Sequence, residues 1–170
     1  MKAFKYTQIE EMYKIIDTCS LCQVAVNDPM GAPYIFPMNF VRIGDDIFLH
    51  SAPEGTHLEL LAKDNRISLS FCYGDDLVKQ HEKVACSYSM RSDSVVVKGH
   101  VSFIECTDHK RKILNDLMAK FIPENKFIYS EPALRNVRIW KISIDQMTGK
   151  GVGLTYEQFK ELEKRKNDSH

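Results

Sequence analysis

Three apolar runs of strand-like composition follow one another closely between residues 21 and 52: LCQVAVN, YIFPMNFVRI and IFLHSA. The turn signal DPMGAP separates the first two, and only GDD separates the last two. Neither connection can hold a crossover helix, so the three runs are expected to pair as an antiparallel meander. An antiparallel sheet with apolar faces must cover its edges or close on itself, which limits the folds open to the rest of the chain.

The remaining elements follow from periodicity. QIEEMYKIIDT (8–18) carries Ile9, Met12, Ile15 and Ile16 at helical spacing. Residues 56–62 are predicted as a short helix, and residues 66–73 as a fourth strand. GDDLVKQHEK (74–83) reads as a polar loop. VACSYSM and SVVVKGHVSFIE supply long strand material, with Gly99 expected at a bulge or bend. A helix is predicted over 107–121, opened by Thr107 and Asp108, with Ile113, Leu114, Leu117, Met118 and Phe121 on one side. Residues 123–136 read as a loop or short helix. VRIWKISIDQMTG is the last strand, with Val137, Ile139 and Lys141 on one face. The reading is mainly β with inserted helices: one domain over 1–150, then a charged C-terminal helix and tail over 151–170. A barrel of about six strands is the economical closure.

Charge and cysteine content exclude several functions. Lysine plus arginine number 23, as do aspartate plus glutamate, so no general attraction to nucleic acid or an anionic membrane is expected. No apolar run approaches the length of a membrane span. The start, MKAFKYTQIEEMYK, lacks the apolar stretch of a secretory signal, so a cytoplasmic protein is expected. The five cysteines are an odd number, which argues against a disulfide framework. CSLC has metal or redox spacing, but no second ligand pair accompanies it. Cys22 is expected to face the core and Cys19 to end the first helix.

Five segments occur in an order that resembles the flavin-binding split-barrel family related to pyridoxamine 5'-phosphate oxidase: YIFPMNF, IFLHSAPEGTHLELL, DNRISLSF, CSYSMRSDSVVVKGHVSF and VRIWKISIDQMTGK. The nearest branch is the nitroimidazole-resistance, or Nim-type, branch. The resemblance implies a six-stranded antiparallel Greek-key split β-barrel, and a homodimer with FMN in clefts shared by both subunits. It places Pro37, Met38, Asn39 and Phe40 along the flavin ring, and His50, Ser51 and Ala52 beside it. His50 is the expected catalytic residue, as a proton donor to a reduced substrate. Where the family usually has a basic pair for the phosphate, this chain has Thr56 and His57. Where the family usually reads aromatic-Arg-Ser-Val, it has Ser92, Asp93, Ser94 and Val95, with Arg91 just upstream. Thr56, His57, Arg91 and Ser94 are therefore the expected phosphate-side residues. No metal is expected.

The resemblance implies an FMN-dependent oxidoreductase that reduces nitroaromatic or other small flat substrates with a transient electron donor. A non-catalytic flavin- or haem-binding dimer, a dimer with an empty cleft, and pyridoxamine-phosphate oxidase-like activity are the alternatives. Tyr73 and Tyr88 are possible substrate-side aromatics by residue type, and Trp140 is expected in the core or at a dimer interface. His81, His100 and His109 are expected at the surface. The apolar faces of VVVKGHVSF and VRIWKISI offer more area than one small barrel can bury, a second reason to expect a dimer.

Overall fold

A computed structural model describes residues 3–124 and 126–153, together with residues 158, 161 and 164. The charged helix expected from Thr155 lies outside the described residues apart from those last three positions. The chain runs β1 (Phe4–Tyr6), α1 (Ile9–Thr18), β2 (Leu21–Asn27), β3 (Pro33–Ile43), β4 (Asp46–Ser51), α2 (Thr56–Leu61), β5 (Arg66–Lys79), β6 (Tyr88–Ile104), α3 (Thr107–Phe121), α4 (Glu131–Asn136) and β7 (Arg138–Val152).

The meander forms as its connections require. β2 pairs antiparallel with β3 from Leu21↔Asn39 to Asn27↔Pro33, and β3 with β4 from Phe40↔Leu49 to Ile43↔Asp46. In the first turn, Asp28 Oδ1 accepts from the backbone N–H groups of Met30 and Ala32, both at 2.8 Å. Gly31 takes φ 84°, a conformation that L residues rarely adopt.

The expected six-stranded Greek-key barrel is corrected. The strands make a seven-stranded sheet in the order β1-β7-β4-β3-β2-β5-β6, with β6 also pairing to β7. A seventh strand, β1, stands at one end of that order, paired only with β7 among the described residues, so the sheet is not the six-stranded barrel expected. The extra strand escapes sequence reading because FKY is too short to show a period. Two boundaries also move: β5 runs on to Lys79 through the predicted loop, and β6 is continuous through Gly99.

The chain divides into two compact units. The first comprises residues 1–19, 71–95 and 148–170. Here β1 pairs with β7 from Phe4↔Gly151 to Tyr6↔Gly149. The Tyr6 hydroxyl donates to Asp93 Oδ1 at 2.6 Å. Burial, then that bond, holds the phenol far above its ordinary range. α1 buries Met12, Ile15 and Ile16, and Cys19 caps it with its thiol on the carbonyl of Cys72 at 3.5 Å.

The second unit comprises residues 20–70 and 96–147 and holds most of the buried apolar side chains. Cys22 is buried in β2, with its thiol on the carbonyl of Met38 at 3.6 Å. One cluster joins Val41, Phe48 and Ile139 of the sheet to Ile113, Leu114 and Leu117 of α3 and Leu134 of α4. Ile139 and Trp140 are adjacent in β7 and both fully buried, so this strand is covered on both faces. Strict alternation along it therefore marks two buried sides rather than one buried and one wet. Among the described residues, no helix is long and apolar enough to cross a membrane.

Candidate functional site

The site candidates of the meander all fall in the second unit. The last pair of the β3–β4 ladder on this side is Phe40↔Leu49. Carried one step further, that register sets Asn39 opposite His50, which puts both on one face of the sheet. Asn39 is exposed, and its amide nitrogen donates to the carbonyl of Ser20 at 3.2 Å, leaving the amide oxygen as an acceptor. Pro37 is exposed and Met38 half-buried. Phe40 differs from the others. Its ring is fully buried under the Lys120 ammonium, which lies 3.6 Å from the ring centroid. Phe40 therefore turns its side chain into the core, and its backbone carbonyl accepts from Lys120 Nζ at 3.5 Å.

His50 ends β4. Its Nδ1 is buried and has no hydrogen-bond partner among the described residues. Burial lowers its proton affinity below the ordinary histidine value, so the imidazole is neutral near pH 7. A neutral imidazole has one N–H and one lone pair, and a buried ring nitrogen without a partner is costly by about 1–3 kcal/mol. Ser51 and Ala52 follow, both small. The Ser51 hydroxyl accepts from Trp140 Nε1 at 3.0 Å and donates to the Ala52 carbonyl at 2.9 Å.

Thr56 is exposed at the start of α2, whereas His57 turns inward. Its ring lies against Phe36, at 5.5 Å and 35°, and Trp140, at 5.3 Å and 39°, which are themselves 6.4 Å apart. His57 Nε2 is also buried without a partner among the described residues, and burial lowers its proton affinity. A neutral ring facing two aromatic side chains supplies no fixed positive charge to an anion.

Arg91 and Ser94 lie in the other unit. The Arg91 guanidinium donates to Gln158 Oε1 at 2.6 Å, and the Ser94 hydroxyl to the Lys150 carbonyl at 3.3 Å. Asp93, at the position where the resemblance puts arginine, accepts from Tyr6 instead. Among the described residues, no group of three or more His, Cys, Asp or Glu side chains is placed to hold a metal ion.

Sequence reading missed two residues of this cluster. Phe36 reads as one more apolar residue of a strand, and Trp140 as core. Only pairing β4 with β7, which sets Leu49 against Trp140, brings that indole to the site.

A profile of the pyridoxamine 5'-phosphate oxidase family matches residues 8–151. The chain belongs to this family. Membership makes it a flavin-binding protein of oxidoreductase type. A candidate 5-nitroimidazole antibiotic resistance protein from Bacteroides thetaiotaomicron is 41% identical, with 88% of this chain and 87% of that chain covered and a TM-score of 0.80. A FAD and heme binding protein from Mycobacterium smegmatis is 26% identical over 86% of this chain and 72% of that chain, with a TM-score of 0.77. The flavocytochrome Anf3 from Azotobacter vinelandii shares the fold at 22% identity, over 92% of this chain and 74% of that chain, with a TM-score of 0.72. No match was found among curated proteins.

Proposed function

We propose that this protein is an FMN-dependent oxidoreductase that reduces nitroaromatic or similarly flat, electron-poor substrates, working as a homodimer with a transient electron donor. Family membership and the 41% identity to the candidate nitroimidazole-resistance protein support the class. The observation that carries the site is the buried Nδ1 of His50, without a partner among the described residues, one register step past the Phe40↔Leu49 pair and followed by two small residues. Such an atom fits a polar group arriving on a ligand.

FMN, when bound, supplies the redox chemistry. Asn39 offers its amide oxygen, and Ser51 and Ala52 leave room for a planar ring. His50, held neutral by burial, donates its one ring N–H as a hydrogen bond to the flavin or substrate, and delivers a proton to the reduced substrate only after it has itself been protonated. Pro37 and Met38 line the same strand with backbone groups. The phosphate side is less well served by this chain. Thr56 is the exposed candidate there, while His57 and Arg91 are engaged elsewhere.

The absorption spectrum of the purified protein, followed by anaerobic reoxidation with a nitroimidazole, tests the proposal. Flavin bands in the blue and near ultraviolet, with reoxidation by the nitro compound, are expected. A protein that takes up neither FMN nor riboflavin overturns it. The likeness to a FAD and heme binding protein favours a second reading, a cofactor-binding module without turnover. A single intense Soret band, or bound flavin inert to nitro compounds, would select that reading.

A further inference from the structure

Trp140 reaches the loop between β4 and α2 at two points. It is fully buried on β7, opposite Leu49. Its Nε1–H donates to Ser51 Oγ, and its ring meets His57 at a tilt of 39° with centroids 5.3 Å apart. Both ends of the 51–57 segment are thus held by one side chain. We propose that Trp140 is a positioning residue that clamps this loop through Ser51, and so sets where His50 and the small residues after it stand. The proposal rests on reading this region as the flavin site.

The geometry between the two holding points supports a clamp rather than simple filling of the core. The Ser51 hydroxyl passes the contact on by donating to the Ala52 carbonyl at 2.9 Å, which fixes the backbone directly after His50. Gly55 has φ 142°, and a Cβ there would meet His57 Cε1 at 2.7 Å, so the His57 ring folds back over a residue with no side chain. A buried indole N–H has one donor and must find one acceptor. Phenylalanine would keep an aromatic ring, smaller than the indole, without holding Ser51.

Two substitutions separate the roles. Trp140→Phe keeps an aromatic ring and removes the donor, and Ser51→Ala keeps the indole and removes the acceptor. Riboflavin and FMN are titrated by flavin fluorescence into wild type, both single variants and the double variant, and the imidazoles of His50 and His57 are titrated by NMR. Loss of one hydrogen bond that orders the loop is expected to weaken both flavins by about tenfold. The double variant should be no weaker than the worse single, and both imidazole midpoints should rise toward the ordinary histidine value. Unchanged flavin affinities and midpoints in Ser51→Ala, with only a lower melting temperature, would make Trp140 a core residue and nothing more. Weakening of FMN alone would assign the loop to the phosphate and also overturn the clamp. If wild type binds neither flavin, the flavin reading fails, and the imidazole midpoints still decide whether the loop is clamped. Should Trp140→Phe fail to fold, Ser51→Ala carries the test.

Discussion

His57 shows how far residue type can mislead about role. Its place after a glycine and at a helix start suggests an anion contact, yet the ring lies against Phe36 and Trp140 and is kept neutral by burial. A base with lowered folded-state proton affinity stabilises the fold above the unfolded histidine value, about 6.5, and that contribution is lost as pH falls through the folded value. Both His50 and His57 act in this direction. The melting temperature should therefore fall between about pH 7.5 and about pH 5.5, and His57→Phe should shrink that fall. Trp140 is the only tryptophan, so its fluorescence, quenched by a protonated imidazole beside it, should report the His57 midpoint below the ordinary value. A midpoint at or above about 6.5 would contradict the buried geometry. His50 invites a kinetic test. His50→Ala should fold and bind flavin, while reoxidation by a nitroaromatic slows roughly 10²-fold or more. Equal stopped-flow rates would leave His50 a packing residue.

At the level of elements, glycines and long strands matter most. Gly99, expected at a bulge or bend, lies within the continuous strand β6. The reason for glycine is close approach. A Cβ at this position would collide with the Ser143 carbonyl and press on Ile142 Cγ2. The obstacle is backbone, which cannot move aside as a flexible side chain can. Gly99→Ala should therefore destabilise the protein by about 1–3 kcal/mol through strain in the second unit. Urea denaturation would show it as a lower midpoint, and a change within about 0.5 kcal/mol would mean the strands separate freely. α3 was readable from its period alone and spans Thr107–Phe121 as expected. The fate of Lys110 was not readable. It is 2% exposed, with its ammonium on the Val137 carbonyl at 2.9 Å. Lysine reads as a solvent residue until a neighbouring element closes over it.

For the whole molecule, the question is what covers the apolar surface that remains. The sequence placed the surplus on VVVKGHVSF and VRIWKISI. Val95, Val97, Val101, Ile139, Trp140 and Ile142 of those strands are buried within the chain, while Val96 and Phe103 of the first stay exposed. Large apolar side chains stay exposed on β3 at Tyr34 and Ile35, on β5 at Tyr73 and Leu77, and on β6 at Met90. We expect these to meet a second copy, giving a dimer at micromolar concentration, since single domains rarely leave so many large apolar groups wet. Sedimentation should return twice the chain mass, and Ile35→Lys should shift it toward one chain. A wild-type species of one chain's mass would remove the case for a shared cleft.

Elements whose cause is local can be read from the chain alone. Short connections made the meander antiparallel, the helical period set α1 and α3, and an ordered series of segments pointed to the family. Those signals lie within a few residues of the structure they specify. Strand number came from long-range pairing, since FKY becomes a strand when β7 offers it an edge. Long-range packing likewise sets Asp93 against Tyr6, buries Lys110, and lets Trp140 hold Ser51 and His57. Each of these depends on a partner from 27 to 89 positions away. At such separations no local period carries the information, and the pairing of strands supplies it.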